Sequence, residues 1–336
     1  MSRSLSILLF DLLSVHPVHA QLDLIDVAGF PTLKTPDLLA VDPVTEPVSN
    51  RLRIAFYNIE NFFDGRNDGE RRTPDVARSQ AALTAPIIER IDPDLLFVCE
   101  VENVEALGMI NDALAVPFPF GAISRFEREN QVEKLNIGVL SRLGPVEVAE
   151  IDFGSMIGPR RPTRGAFRLV LDLDDQHRLL AYAVHLKSNY GDRQRNFELR
   201  QNAMTLVRTN ADEMTASDTN VTWIAMVLGD MNTDPGARNF RNDPSLSPFS
   251  DWADLWLLHP DGQSVTLPYR EGSWRPYDPA TFDRILVSGS GTSAPWIVGE
   301  VNVLQEGVET TDATILPGER GHASDHYPVW VDLVYE

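Results

Sequence analysis

Residues 321–333 read GHASDHYPVWVDL, an Asp325–His326 pair followed at once by an alternating apolar run. Such a pair makes a hydrogen-bonded turn before a last strand, or it brings a carboxylate and an imidazole to acid–base work near neutral pH. Similar residues close other apolar runs. In FYNIENFFD, Asn58 and Glu60 stand two apart, so on a strand both face one way and can offer oxygen ligands to one cation. The alternative is a polar stripe facing solvent. In LLFVCEVEN, Glu100 ends an apolar run beside Cys99, where a carboxylate is costly unless it is paired or bound to metal.

Three further stretches add donors and bases. YAVHLKSNYGD places His185 and Lys187 on one strand face; the imidazole can hydrogen-bond a phosphate oxygen and the ammonium can offset its charge. A histidine satisfied by packing and backbone is the plainer reading. VLGDMNTDP carries Asp230, a carboxylate able to accept a proton, and Asn232, an amide able to donate to a phosphate oxygen, unless the pair only forms an Asx turn. FDRILVS carries Asp283, able to orient a histidine, next to Arg284, with a surface ion pair as the alternative. Phosphodiester hydrolysis needs a metal against developing charge, a group that activates water, and donors around the phosphate. All three classes are present.

The elements that must hold these residues are legible from periodicity. RLRIAFYNI, DLLFVCEVE, LNIGVLSR, AFRLVLDL, RLLAYAVHLKS, TWIAMVLGDMN, TFDRILVS and YPVWVDLVY read as strands. TPDVARSQAALTAPIIERI reads as a helix with Thr73 as cap and Pro74 at its first position. A short helix is expected around Ala106 to Leu114 and a longer one from about Asn196 to Asp212. Continuous apolar strands are buried on both faces, so the sheets should be covered by helices. Ligand sites in such folds gather beyond strand ends, where these polar residues stand. No internal repeat is visible.

Bulk properties narrow the chemistry. The chain has 336 residues, enough for one large or two ordinary domains with a substantial core. The single cysteine, Cys99, excludes an intramolecular disulfide and a thiolate zinc cluster, so a metal would take oxygen and imidazole ligands. The net charge of −20, spread along the chain, argues against a general basic surface for DNA or anionic membranes. A bound cation and a local group of arginines can still invert the field within a cleft. Residues 1–20, with Arg3, an apolar stretch from Leu5 to Val15 and Val18-His19-Ala20, are expected to be a signal peptide, giving a secreted or periplasmic protein. Residues 21–50, rich in Pro, Asp and Thr, are expected to be a linker or strap before a catalytic domain over 51–336.

The ordered set YNIEN, CEVEN, HLKS, GDMNTDP, FDRILVS and SDHYPV resembles the endonuclease/exonuclease/phosphatase superfamily, the deoxyribonuclease I-like enzymes, in a bacterial extracellular form, from about Arg51 to Glu336. The resemblance implies one α/β (α+β) domain, a four-layer αββα sandwich of two mixed β-sheets flanked by helices. It implies Glu100 as principal ligand of Mg²⁺, or Mn²⁺, with Asn58, Glu60 and Asp325 around it, and Ca²⁺ as a structural or co-activating ion. Asp283 would orient His326, Asp230 would position or deprotonate water, and Asn232 and His185 would hold the scissile phosphate. Either Asp230 or His326 would be the base. Glu60 leaves the metal count open. YDPATFDRIL, in place of the inositol phosphatases' PAWCDRIL stretch, lowers the inositol reading.

The leading expectation is a monomeric, metal-dependent nuclease that cleaves DNA, or RNA, by in-line attack of water. Lys187, Arg160, Arg161, Arg164, Arg193, Arg195 and Arg284 are candidates to meet a phosphate backbone. The alternative is a phosphatase or phospholipase C-like enzyme on inositol phosphates, other phosphomonoesters or sphingomyelin, although no amphipathic membrane helix is evident. A binding protein that kept the fold and lost the chemistry is a third class, disfavoured by the intact set of acids and histidines.

Overall fold

A computed structural model describes residues 27–39, 48–128, 131–132, 134–271, 278–291 and 295–336. The expected signal peptide lies outside the described residues. In chain order the elements are β1 (Thr32–Lys34), β2 (Asp37–Leu39), β3 (Arg51–Phe62), α1 (Pro74–Ile91), β4 (Leu95–Val101), α2 (Val104–Asp112), β5 (Phe120–Ile123), β6 (Glu127–Arg128) and β7 (Gln131–Val132). Then follow β8 (Asn136–Ser141), β9 (Glu147–Asp152), β10 (Ala166–Asp172), β11 (His177–His185), α3 (Arg193–Ser217), β12 (Thr222–Asp230), β13 (Ala253–Asp254) and α4 (Leu255–Leu258). The last are β14 (Asp283–Val287), β15 (Trp296–Val298), β16 (Asn302–Val303) and β17 (Val329–Tyr335).

Alternating side chains make the layers. In β3, Ile54 and Phe56 point, with Phe97 of the neighbouring β4, to the opposite sheet, where they meet Leu169, Ala181 and Met226. Ala55 and Tyr57, one residue out of phase, meet Ala81, Ile88, Leu107 and Ile110 of α1 and α2. On the other sheet, Leu180 and Val227 face Met204, Val207 and Ala211 of α3. Three apolar interfaces therefore stack into four layers, helix, sheet, sheet, helix, as the resemblance implied. This explains why the strands are apolar on both faces rather than alternating.

One sheet runs β1-β9-β10-β11-β12-β14-β13 and the other β15-β17-β3-β4-β8-β5-β2. Each contains one parallel pair, β3 with β4 and β11 with β12. A parallel pair needs a crossover, and α1 and α3 are those crossovers. The start of α1 is fixed as the sequence predicts: the Thr73 side chain accepts from Val76 N at 3.3 Å, and Pro74 follows. The helix stops at Asp92, whose φ of 50° is left-handed and whose N–H donates to Ile88 O.

The N-terminal strap is more organised than its composition suggests. β1 pairs with β9 at the edge of one sheet, and β2 pairs with β5 at the edge of the other, so the ordered fold begins before Arg51. β9 also escapes sequence reading, because its last turns toward the core include Glu150 and Asp152, which are 0 % and 2 % exposed. These acids hide its apolar pattern. Lys34 from the strap supplies their counter-charge, with Nζ 2.5 Å from Asp152 Oδ2. No helix of the described residues is long and apolar enough to cross a membrane.

Removing the Lys34 charge leaves Asp152 buried without its ion pair. Lys34→Met should therefore lower unfolding stability by about 1–3 kcal/mol, read as a lower urea midpoint at unchanged slope. An unchanged midpoint would show that the strap does not anchor the sandwich edge.

Candidate active site

The carboxyl ends of both parallel pairs meet at one edge. Register aligns three of the singled-out residues side by side across one sheet, His185 on β11 opposite Asp230 on β12, and Asp230 opposite Asp283 at the start of β14. Gly229 allows this alignment. A Cβ there would sit 2.0 Å from Val184 O, and its φ is 155°, so a larger residue would push β11 and His185 away. From the facing sheet come Asn58 of β3 and Glu100 of β4. Asn58 Nδ2 donates to Asp230 Oδ2 at 3.1 Å, joining the two sheets.

Bulges aim the acids. The β3–β4 register shifts between Asn58 and Phe62, and the β4–β8 register shifts between Cys99 and Val101. Within these irregularities Glu60, Asn61 and Glu100 hold φ values of 43°, 51° and 63°, and Asn232 holds 50°. Non-glycine residues rarely adopt such angles, and here four of them cluster at one cleft. The distorted turn is held by Gln80, which donates to the carbonyls of Ile59 and Glu60. Asn61 N–H donates to Glu100 Oε2 at 2.9 Å.

The C-terminal pair of the opening motif enters from the loop before β17. Ser324 Oγ donates to Asn58 O at 2.7 Å and accepts from His326 N–H at 3.0 Å, pinning the loop to β3. His326 Nδ1 then lies 2.7 Å from Asp283 Oδ2, and its Nε2 points into the cleft, 3.8 Å from Asp230 Oδ2 and 3.9 Å from Asp325 Oδ1. Trp256 Nε1 donates to Asp283 O, fixing the acid's backbone. His185 Nε2 is 3.5 Å from Glu100 Oε1 and 3.6 Å from Asp230 Oδ2, while its buried Nδ1 has no hydrogen-bond partner among the described residues.

The electrostatics divide these groups into roles. Burial pushes Glu100 up to about 7, with Asp325 adding to the shift and Arg164 opposing it. Burial likewise raises Asp230 to about 6, against the pull of His326. Burial disfavours charge on His326 too, but Asp283, Asp230 and Asp325 outweigh it and hold the imidazole well above its usual value. His185 goes the other way: burial, then Arg164 and His326, keep it neutral. One histidine is thus a cation and the other a neutral ring.

Several assignments change on this geometry. Glu60 has both carboxylate oxygens engaged away from Glu100, Oε1 with Arg270 Nη1 at 2.7 Å and Oε2 with His322 Nε2 at 3.1 Å. Asn58 presents its amide nitrogen, not its oxygen, to Glu100. Arg284 is fully buried; it pairs with Asp254 at 2.7 Å and donates to Gln263 and Thr281 O, so it braces β14 and presents nothing to a phosphate backbone. Arg160 pairs with Glu198, and Arg161, Arg193 and Arg195 donate to the carbonyls of Gly154, Asn239 and Pro159. Lys187 donates to the carbonyls of Ser188 and Tyr190. Arg164 alone of the candidate arginines exerts its charge on both Glu100 and His185.

Sequence reading missed Arg270, His322, Ser324 and Asn189. The last donates to Asn232 O at 2.9 Å and so steadies the phosphate-holding amide. Ser324 and His322 lie inside the opening GHASDH stretch, whereas no pattern marks Arg270 in YREG.

The donor set fits a hard divalent cation. Glu100 and Asp325 offer hard carboxylate oxygens, and Glu100 resists ionisation in the buried site, a penalty that a cation would relieve. A second acidic group, Asp64, Asp68 and Glu102, has the spacing of a metal site. Lys134 offsets part of its charge, 2.6 Å from Asp68 and 2.9 Å from Glu102.

The sequence matches the Endonuclease/Exonuclease/phosphatase family over residues 55–326. The chain belongs to this family. Its members are hydrolases of phosphoester bonds that use divalent metal ions. Among solved structures, a truncated Caenorhabditis elegans TDP2 superposes with a TM-score of 0.55 at 16% identity, covering 84% of this chain and 98% of the other. A D. rerio TDP2 complexed with a single-strand DNA product gives 0.54 at 17%, covering 85% and 99%. The human Nocturnin catalytic domain with a bound sulfate anion gives 0.53 at 16%, covering 91% and 98%. At these identities the likeness is one of fold. No curated protein sequence matches the chain.

The raised Glu100 value has a stability consequence with a definite sign. A carboxyl that binds its proton more tightly when folded costs nothing below about 4.5 and progressively destabilises the metal-free protein as pH rises to about 7. Glu100→Gln should therefore melt above the wild type at pH 8 without metal, by roughly 1–4 °C, with the gap closing toward pH 4.5. A variant that melts lower at pH 8 would exclude this account of the site.

Proposed function

We propose that the protein is a divalent-metal-dependent phosphodiesterase that hydrolyses DNA by in-line attack of water. The observation that carries this reading is the buried line Asp283–His326 at 2.7 Å, with His326 facing Asp230 and Glu100 where the two sheets meet. A cation held by Glu100 and Asp325, Mg²⁺ or Mn²⁺ by ligand hardness, would supply Lewis-acid stabilisation of charge on the phosphate.

The chain's own residues divide the remaining work. Asp230, whose carboxyl burial pushes up to about 6, is in its ionised form the proton acceptor for water, because His326 already carries its proton and cannot accept another. His326 instead donates from Nε2 to a phosphate oxygen as charge develops, while Asp283 fixes its ring and keeps it cationic. Asn232 spends one amide hydrogen on Leu186 O and retains another for the phosphate. His185, neutral and buried, donates without adding charge, and Arg164 supplies the cation on that side.

DNA as substrate is supported by the fold shared with a TDP2 bound to a single-strand DNA product. A specific observation favours a second reading. Arg160 is ion-paired with Glu198 and Arg284 is buried against Asp254, which reduces the basic surface for a long polyanion on a chain of net charge −20. A small phosphoester needs only the cleft, so a phosphatase or phospholipase C-like activity is the alternative.

Supercoiled plasmid with Mg²⁺, Mn²⁺ or EDTA decides between them. Metal-dependent nicking should fall by about 10²–10⁴-fold in Glu100→Ala, Asp230→Asn and His326→Ala. Intact plasmid, with phosphate released from small phosphoesters by the same residues, would transfer the site to the alternative. For either substrate, kcat/KM should rise with pH through a limb at or below about 6 as Asp230 ionises, and Asp230→Asn should remove that limb.

A further inference from the structure

Glu60 and Asp325 occupy motif positions expected to hold metal, yet a side chain from outside every motif joins them. Arg270 Nη1 lies 2.7 Å from Glu60 Oε1 and 2.5 Å from Asp325 Oδ2. Glu60 is 8 % exposed, Arg270 7 % and His322 0 %, while the Asp325 side chain is 20 % exposed at the mouth of the group. A guanidinium is permanently charged, and in such a place it performs the charge-balancing that a metal ion performs between two carboxylates. His322 Nε2, 3.1 Å from Glu60 Oε2, takes up the remaining oxygen.

The arginine is delivered rigidly. Thr266 and Leu267, just before it, both donate their N–H groups to Ala280 O at 3.0 Å, and Tyr327 N–H, directly after His326, donates to Thr266 O at 2.7 Å. Beyond it, Glu271 is bonded by backbone to Thr311 and Ala313. The segment is therefore clamped to the loop that carries Asp325, so Arg270 and Asp325 move together. Glu60 is brought to meet them by the left-handed backbone of the β3 bulge.

We propose that Arg270 stands where a second divalent cation would otherwise bind, so that the site takes one metal ion, at Glu100 and Asp325, and Glu60 is not a ligand. The inference rests on the metal-dependent reading above. Arg270 is then a positioning residue: it holds Asp325 by Oδ2 and leaves Oδ1 on the His326 side, 3.9 Å from Nε2.

Mn²⁺ titration of the purified protein, followed by electron paramagnetic resonance and calorimetry, tests this without reference to turnover. The wild type should bind one ion that Glu100→Gln abolishes. Arg270→Gln should gain a second ion, Arg270→Lys should keep one, and Arg270→Gln/Glu60→Gln should return to one, since the second site needs the Glu60 carboxylate. Should Arg270→Gln fail to fold, Glu60→Gln alone still decides. It should keep the single ion with affinity within about threefold of wild type, whereas loss of a true ligand costs tenfold or more. Two Glu100-dependent ions in the wild type, an unchanged count in folded Arg270→Gln, or a tenfold loss in Glu60→Gln would each overturn the proposal while leaving the metal-dependent enzyme intact. No ion bound to the wild type would overturn both.

Discussion

The structure is organised around excess negative charge buried at the shared edge of two sheets. Glu60, Glu100, Asp230, Asp283 and Asp325 converge there, and a low-dielectric interior penalises each ionised carboxylate that lacks a partner. The site distributes compensation unevenly. Asp283 receives the charged His326 at 2.7 Å, and Glu60 with Asp325 receives Arg270. Asp230 and Glu100 are left under-compensated, and burial drives both toward the neutral form. The two acids that resist ionisation are those the chemistry asks to take a proton and to hold a cation. The paired ones serve as scaffolding.

Backbone strain follows from the same constraint. A regular strand would turn Asn58 and Glu60, two residues apart, to the same face, whereas here Asn58 reaches Asp230 of the facing sheet and Glu60 reaches Arg270. The bulge between Asn58 and Phe62 breaks the alternation, and the left-handed angles at Glu60, Asn61 and Glu100 are its conformational cost. That cost is carried by the packed sandwich behind it. Asn58 Oδ1 accepts from Glu60 N–H at 3.0 Å and Gln80 reaches from α1 to the bulge carbonyls, so the helix layer also stabilises the turn.

The sequence exposed the frame better than its contacts. Long apolar strands, the Thr73–Pro74 start of α1 and the strand-end positions of Glu100, His185, Asp230 and Asp283 all follow from local periodicity and capping, which are properties of neighbouring residues. Two kinds of feature stayed hidden. β1, β2 and β9 did so because their stability comes from partners far along the chain or, for β9, from the buried acids Glu150 and Asp152 that Lys34 compensates. Arg270 and Arg284 did so because an arginine reads as surface in one dimension, while a buried carboxylate partner is visible only in three. The arginines counted as a phosphate-binding surface illustrate the same limit, since Arg160 answers Glu198 across 38 residues of chain.

The distribution of arginines bears on how an acidic protein can meet a phosphate at all. A net charge of −20 repels a polyanion at long range, so steering cannot come from the whole surface. Within the cleft the balance differs, because His326 and Arg164 are cationic and a divalent ion at Glu100 would add two further positive charges. Attraction would then be short-ranged and conditional on metal. An enzyme built this way gains affinity only where the cation and the phosphate occupy the cleft together, so metal binding and substrate binding become coupled through one shared field.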